Sequence, residues 1–341
     1  MGDFEGEECE RLRAVWDRRS RAHVLVAVHD TRLGPAHGGI RRWAYEGLED
    51  ARRDVVALAR AMTWKCALAE VPSGGGKAVI LDRPDLDREA AYRLVGRVVE
   101  QLGGAFYTGP DVNTTAADLR IVAEETRFVA TDAADGPGDL AAATAEGVLA
   151  ALLALAERLG RPADQLRCIV QGLGAVGAGL CERLAARGAK VLVADVVAAR
   201  VEDAVQRFGV EPLSVDDVCT TEADIYAPCA LGGALTETVA ASIPVRGVCG
   251  AANNVFADDH AVTVAHRRGL LVVPDFVANA GALIQGALWN LRGERVDAER
   301  IRRIGATTDE VLARSAEEDR PPLELALQLA RERVERAGRA S

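Results

Sequence analysis

Apolar positions along this chain follow two alternating periods. Short runs of aliphatic and β-branched residues predict strands at 23–28, 76–81 and 105–108, then at 167–171, 190–194, 224–227, 246–249 and 270–273. Apolar positions three and four apart predict helices over 48–62, 86–102, 141–159, 176–187, 235–241, 258–268 and 280–291. Two more helical patterns, 297–317 and 323–336, close the chain, separated by Pro321-Pro322. Strands alternating with helices imply an α/β fold, with a doubly wound parallel sheet in the second half. The polar stretch 131–139, containing Gly136-Pro137-Gly138, reads as a linker. It divides the 341 residues into an expected first domain, 1–138, and a second, 139–322, with the last helix, from about 323, packing back on the first.

The hexapeptide Gly172-Leu173-Gly174-Ala175-Val176-Gly177 lies between the strand at 167–171 and the helix that follows it. Asp195 ends the next strand. Strand, glycine turn, helix and a later acid form the dinucleotide-binding fingerprint of a Rossmann domain. Gly172 permits the turn, Gly174 the approach of a pyrophosphate, and Gly177 close packing of helix on strand. The phosphates are expected on backbone N–H groups at the helix N-terminus. A carboxylate at Asp195 accepts from a ribose 2′-hydroxyl and repels a 2′-phosphate, which favours NAD over NADP; Arg200, close by in sequence, weighs slightly against that preference and is read with the cofactor group. The competing readings are a glycine loop that only permits packing and a helix N-cap at Asp195.

Composition narrows the partners. The formal charge of −10 argues against nucleic acid. Seven dispersed cysteines without a C-x-x-C pair read as reduced thiols of a cytoplasmic protein. Five histidines without H-E-x-x-H give no expectation of a catalytic metal. The N-terminus is acidic and lacks an apolar signal core. No run is expected to reach the ~20 apolar residues of a membrane span, so no membrane partner is anticipated.

Candidate chemistry lies mostly in the first half. Lys65 follows a helical pattern, Lys77 follows Gly74-Gly75-Gly76, and Asp111 stands at a strand end; Asn253 and Asn254 follow a strand of the second half. A P-loop is excluded, because Val71 stands where a glycine is needed and Ala78 where a hydroxyl is needed. Three glycines before a lysine in an apolar strand suggest close backbone approach to something small; a surface lysine after a turn is the competing reading.

These residues carry a resemblance. The blocks Gly34-Pro-Ala-His-Gly38-Gly39-Ile-Arg41, Met62-Thr-Trp-Lys65, Gly74-Gly-Gly-Lys77-Ala-Val-Ile, Thr108-Gly-Pro-Asp111-Val-Asn-Thr, Gln171–Gly177, Ile225-Tyr-Ala-Pro-Cys229-Ala-Leu-Gly-Gly, Gly250-Ala-Ala-Asn-Asn254 and Pro274-Asp-Phe-Val-Ala-Asn279-Ala-Gly stand in order along the chain. Together they resemble the glutamate/leucine/phenylalanine/valine group of amino acid dehydrogenases. Thr108–Thr114 and Ala278–Gly281 look most like phenylalanine dehydrogenases, and 224–233 looks equally like valine and leucine enzymes. The resemblance implies an N-terminal substrate domain, a Rossmann domain, a cleft between them, and a homo-oligomer joined through the N-terminal region.

It also implies roles by position. Lys77 matches the catalytic lysine and Asp111 the acid that assists proton transfer. Lys65 matches the lysine that pairs with the substrate carboxylate, helped by backbone at Gly38 and Gly39, and Asn254 matches an amide near the substrate. Arg41, Thr144, Cys229, Ala230, Asn253 and Asn279 join the fingerprint residues as cofactor contacts. The implied reaction takes a hydride from an amino acid α-carbon and hydrolyses the iminium to a 2-oxo acid and ammonia. A base is needed near neutral to alkaline pH, and a like charge at Lys65 together with desolvation is expected to lower the pKa of Lys77.

Three positions depart from the family pattern: Ile40 stands for the usual Thr, Ala282 for a second Gly, and the 135–138 loop is short. They bear on pocket shape and hinge. Gly109 and Gly286, with Leu283, are expected to line the side-chain end of the pocket and leave room for an apolar or aromatic group, phenylalanine first and tryptophan next; leucine or valine stay open, as do glycines that only serve the backbone. A silent dinucleotide-binding regulator would lack Lys65, Lys77 or Asp111, and a 2-hydroxy acid enzyme would need a His with a carboxylate partner in the second domain. The sequence meets neither requirement.

Overall fold

The computed structural model describes residues 2–6, 9–131 and 136–340. The chain forms two compact units. The first comprises 1–138, 284–295 and 330–341, and the second comprises 139–283 and 296–329.

The first unit holds β1 (Gly2–Gly6), β2 (Cys9–Asp17), β3 (Ala22–Asp30), β4 (Ala36–Trp43), α1 (Leu48–Leu68), β5 (Gly74–Leu81), α2 (Arg88–Gln101), β6 (Phe106–Pro110) and α3 (Ala116–Ala123). Its sheet runs β1-β2-β3-β5-β4-β6. Strands β1, β2, β3 and β5 pair antiparallel, whereas β4 lies parallel to both β5 and β6. Both faces are covered, so β3 is apolar on each. Val24, Val26 and Val28 join the core with α2 and α3, and Leu25 and Ala27 join the core with α1. Each of these valines, and Leu25, contributes about 1.5–3 kcal/mol on burial.

The glycines of β5 answer one expectation with a correction. What their backbone approaches is the protein itself. A Cβ on Gly75 would lie 2.1 Å from the Thr63 nitrogen and 2.3 Å from the Ala59 oxygen, both on α1. A Cβ on Gly76 would meet the Phe106 ring at 2.6 Å, and one on Gly74 the Asp30 carbonyl oxygen at 1.7 Å. The glycines let α1 and the neighbouring strands press onto β5, which fixes where Lys77 begins.

The second unit contains α4 (Leu140–Arg158), β7 (Arg167–Gln171), α5 (Ala175–Ala185), β8 (Lys190–Ala194), α6 (Ala198–Phe208), β9 (Glu211–Pro212), β10 (Ile225–Pro228), α7 (Glu237–Ser242), β11 (Gly247–Val248), α8 (Asp259–Arg267), β12 (Leu271–Val272) and α9 (Asp275–Ala278). It is an all-parallel sheet in the order β12-β11-β10-β7-β8-β9, the doubly wound arrangement expected. Helices α10 (Gly281–Arg292), α11 (Ala298–Arg302), α12 (Ile304–Glu318) and α13 (Pro322–Ala340) complete the chain. The single pattern read at 297–317 is broken by one turn at Arg303. In the first unit, Arg333 of α13 donates to the carbonyls of Ala67 and Leu68 at the end of α1.

Helix α4 corrects the reading that no run is apolar enough for a membrane. Over 18 residues its mean hydropathy reaches 1.6. It is instead a core helix: Val148, Leu149, Leu152 and Leu155 are fully or nearly fully buried, and α5 and α12 pack on it. Residues 132–135 of the expected linker lie outside the described residues. Its described end is held within the first unit, where the Gly136 carbonyl accepts from Arg295 and the Pro137 carbonyl from Gln285.

Candidate active site

Lys77 sits mid-strand on β5, its side chain only 7% exposed, and its ammonium lies 2.8 Å from Asp111 Oδ2. Asp111 follows β6, two strands away across β4. The parallel β5-β4-β6 ladder sets the two opposite each other. This closeness needs glycine in β4. A Cβ on Gly38 would lie 1.7 Å from the Gly76 oxygen, and one on Gly39 would lie 2.4 Å from the Pro110 oxygen and 2.8 Å from Asp111 Cβ.

Arg41, expected at the dinucleotide, makes its ion pairs inside the first unit. Its Nε donates to Asp111 Oδ2 at 3.1 Å and its Nη1 to Asp54 Oδ2 at 3.1 Å. The Tyr45 hydroxyl donates to the same Asp54 oxygen. Burial pushes the Lys77 pKa below its ordinary value; Asp111 opposes this and Arg41 adds to it. Arg41 is thus an assisting cation beyond Lys65, which the sequence suggested. Burial alone would raise Asp111, but Lys77 and Arg41 outweigh it and hold the carboxyl below the usual range.

Lys65 lies half-buried in the last turn of α1. Gly109 lies on β6, where an added Cβ would meet only the Ala130 methyl, at 3.7 Å, an ordinary contact. A Cβ on Gly286 of α10 would meet nothing within 4 Å. Ile40 is fully buried in the core with α2 and α3, which accounts for an apolar residue there. Next to Gly38, His37 stacks on Tyr107 with ring centres 5.0 Å apart and shares a hydrogen bond with Ser73, while its Nε2 is buried without a partner. Burial pushes its pKa down to about 4.

The fingerprint residues gather in the second unit at the C-terminal ends of the central strands, where the strand order reverses between β7 and β10. That switch point is where open α/β sheets bind ligands. Gly172 has φ +97°, and a Cβ on it would lie 2.7 Å from Ala230; a Cβ on Gly177 would lie 1.9 Å from the Gly172 oxygen and 3.2 Å from Cys229 Cβ. Gly174, by contrast, faces open space. It caps α5 without a side-chain hydrogen bond, so the first-turn N–H groups beside Ala175 and Val176 are left for an anion. Asp195 accepts from the N–H groups of Leu173 and Val197, and Arg200 lies 3.6 Å away. Those N–H bonds and Arg200 outweigh burial and keep its carboxyl ionised below the usual range.

Asn279 donates to the Ala251 carbonyl and to Asn253 Oδ1, leaving its own Oδ1 buried with no partner. Asn254 is exposed at φ +52°, its N–H bound by Asp275. The Thr144 hydroxyl bonds back to the Leu140 carbonyl within α4, and Leu283 is half-buried early in α10. An open glycine, a bare helix terminus, an ionised carboxylate and an orphaned amide oxygen fit a dinucleotide. Among the described residues, no cluster of His, Cys, Asp or Glu could hold a metal ion.

Sequence reading missed Asp54 and Tyr45. The signal for Asp54 was slight: it stands at the edge of the buried face of α1, three residues after Ala51 and one before Val55, and is itself half-buried.

A dinucleotide-type parallel sheet joined to a unit carrying a buried lysine–carboxylate pair defines a dehydrogenase. Comparison with known proteins makes it specific. Residues 17–133 match the "Glu/Leu/Phe/Val dehydrogenase, dimerisation domain" and residues 194–341 match "Glutamate/Leucine/Phenylalanine/Valine dehydrogenase". The chain is 36% identical to leucine dehydrogenase of Bacillus subtilis over 99% of its own length and 94% of that protein. It is 38% identical to phenylalanine dehydrogenase of Lysinibacillus sphaericus over 82% of its length and 77% of that protein. The crystal structure of L-tryptophan dehydrogenase from Nostoc punctiforme superposes with a TM-score of 0.86 at 31% identity, covering 97% of each chain. The chain belongs to the glutamate/leucine/phenylalanine/valine dehydrogenase family and is an amino acid dehydrogenase, of the kind that uses a nicotinamide cofactor.

Proposed function

We propose that this enzyme is an NAD-dependent L-amino acid dehydrogenase acting reversibly on an apolar or aromatic amino acid, phenylalanine first and tryptophan next. The buried Lys77–Asp111 pair carries the reading. Lys77, with its pKa lowered by burial, takes the proton from the water that attacks the iminium carbon. Asp111, ionised, exchanges the amine proton. Lys65 receives the substrate carboxylate through charge-assisted hydrogen bonds, beside the close-packed backbone at Gly38 and Gly39. A nicotinamide held by the second unit would supply the hydride acceptor. Gly172–Gly177 and the α5 N-terminus would hold the pyrophosphate and Asp195 the ribose hydroxyls, which favours NAD. Asn279, Asn253, Cys229, Ala230 and Thr144 would complete that side.

The side-chain preference rests on the space at Gly109 and Gly286 and on likeness to phenylalanine and tryptophan dehydrogenases. Likeness to leucine dehydrogenases keeps branched-chain substrates as the second reading. We further propose a cytoplasmic homo-oligomer, in keeping with a first segment matched to a dimerisation domain. The test is NADH formation at alkaline pH with a panel of L-amino acids. The highest kcat/KM is expected with phenylalanine or tryptophan. A preference for leucine or valine moves the assignment to the branched-chain reading, a preference for NADP overturns the role of Asp195, and no turnover with any apolar or aromatic amino acid overturns the whole.

A further inference from the structure

The proposed mechanism leaves one built feature unused. Tyr45, Asp54, Arg41, Asp111 and Lys77 form a continuous chain of polar contacts in the first unit, drawn from the β4–α1 turn, α1, β4, the end of β6 and β5. Arg41 Nε and Lys77 Nζ meet the same Asp111 oxygen, Oδ2, at 3.1 and 2.8 Å. Asp54 in turn anchors the far side of the guanidinium.

The charges explain why a second cation stands there. Two carboxylates, Asp54 and Asp111, share this cluster with two cations. If Lys77 were the only cation, releasing its proton would strand two carboxylates without a counter-charge. An arginine does not lose its proton. With Arg41 in place, Asp111 keeps its partner when Lys77 becomes neutral. We propose that Arg41, clamped by Asp54 and Tyr45, is the positioning residue that holds Asp111 through Oδ2 and permits Lys77 to release its proton. The inference rests on the role of Lys77 proposed above. It also reassigns Arg41 from the cofactor to the proton-transfer pair. Among the described residues, the charged and titratable groups that bear most on the pair are Arg41, Asp54 and, through Asp54 and Arg41, Tyr45, with Lys65 the further cation of the same site.

Two substitutions give opposite signs, which mere structural damage would not. Arg41→Met removes a positive neighbour and lets Asp111 hold Lys77 charged, so the pKa of Lys77 rises by about half a unit or more. Asp54→Asn frees the charge of Arg41, so the pKa of Lys77 falls by a smaller amount. The chain contains three lysines, Lys65, Lys77 and Lys190, so the titration of Lys77 can be followed by NMR on isotope-labelled lysine in the full-length protein without any assay of turnover. The acidic limb of kcat/KM should move in the same directions, Arg41→Lys should restore most of the shift, and NADH affinity, read by fluorescence, should stay within about twofold in every variant. The inference is overturned if both substitutions move Lys77 the same way, if neither moves it, or if Arg41→Met chiefly weakens NADH binding. Failure of the broader reading is separate and shows as a wild-type enzyme that oxidises no amino acid.

Discussion

Two glycine-rich segments of this molecule look alike in sequence and do opposite work. In Gly74–Gly76 every missing Cβ is a place already filled by the protein: α1, the Phe106 ring or the carbonyl of Asp30. In Gly172–Gly177 two glycines are likewise filled, but Gly174 faces open space at a helix terminus with no side-chain cap. The first segment builds a rigid floor so that side chains, Lys77 and Asp111, can be set at 2.8 Å. The second offers backbone to a ligand. Glycine before a functional group therefore says nothing of ligand contact until the space around it is known.

The comparison breaks first at Gly75. Gly75→Ala forces a methyl against the backbone of α1, which cannot move as a side-chain end can. Overpacking of this kind is expected to cost about 3 kcal/mol or more, read as a lowered denaturation midpoint. A loss under about 1 kcal/mol would mean that α1 is not seated on β5 as described.

A second large effect concerns acid. His37, beside Gly38 and Gly39, is buried with its pKa lowered from 6.5 to about 4. The unfolded chain takes up this proton as pH falls through about 6.5, whereas the folded chain resists until about 4. Stability is therefore unaffected above 6.5 and declines between 6.5 and 4, by up to about 3 kcal/mol in total. Denaturation at several pH values checks this: His37→Gln should flatten that part of the profile, and an unchanged slope would remove His37 as its source.

The smallest effect separates the two segments most cleanly. Gly174→Ala has room for its methyl and a φ of −67° that alanine accepts. Stability should stay within about 0.5 kcal/mol, while NADH affinity falls by about tenfold because the backbone no longer approaches the pyrophosphate. Unchanged affinity would remove the loop from the cofactor site.

The second unit was the more legible. Strands β7 and β8 are continuous apolar runs buried on both faces, and their boundaries follow directly from the pattern. In the first unit β2 and β4 escaped, because β2 interleaves charged residues as a half-buried strand does, and β4 carries two glycines and two arginines. Helix α3 escaped although Thr115 and Asp118 form a capping box, a short-range signal for its start. Helix α6 escaped although Val201, Ala204, Val205 and Phe208 stand at helical spacing.

For the candidate site, resemblance singled out Lys77 and Asp111, which the fold brings together, and composition held a further clue. Of 41 basic residues only three are lysines, and two of these are the active-site candidates Lys65 and Lys77. Arginine serves elsewhere, whereas a base must be able to lose its proton. The links from Arg41 to Asp54 and Asp111 were not legible, because they join residues 13 and 70 positions apart that only the sheet and α1 bring together.

The most direct test of this division of labour is Lys77→Ala with two readouts. Turnover of the best amino acid should fall by about 10²–10⁴-fold, while NADH binding stays at the wild-type level, since Lys77 and the fingerprint loop belong to different units. Near-normal turnover would contradict the assignment of the base, and loss of NADH binding together with turnover would contradict the separation of chemistry from cofactor.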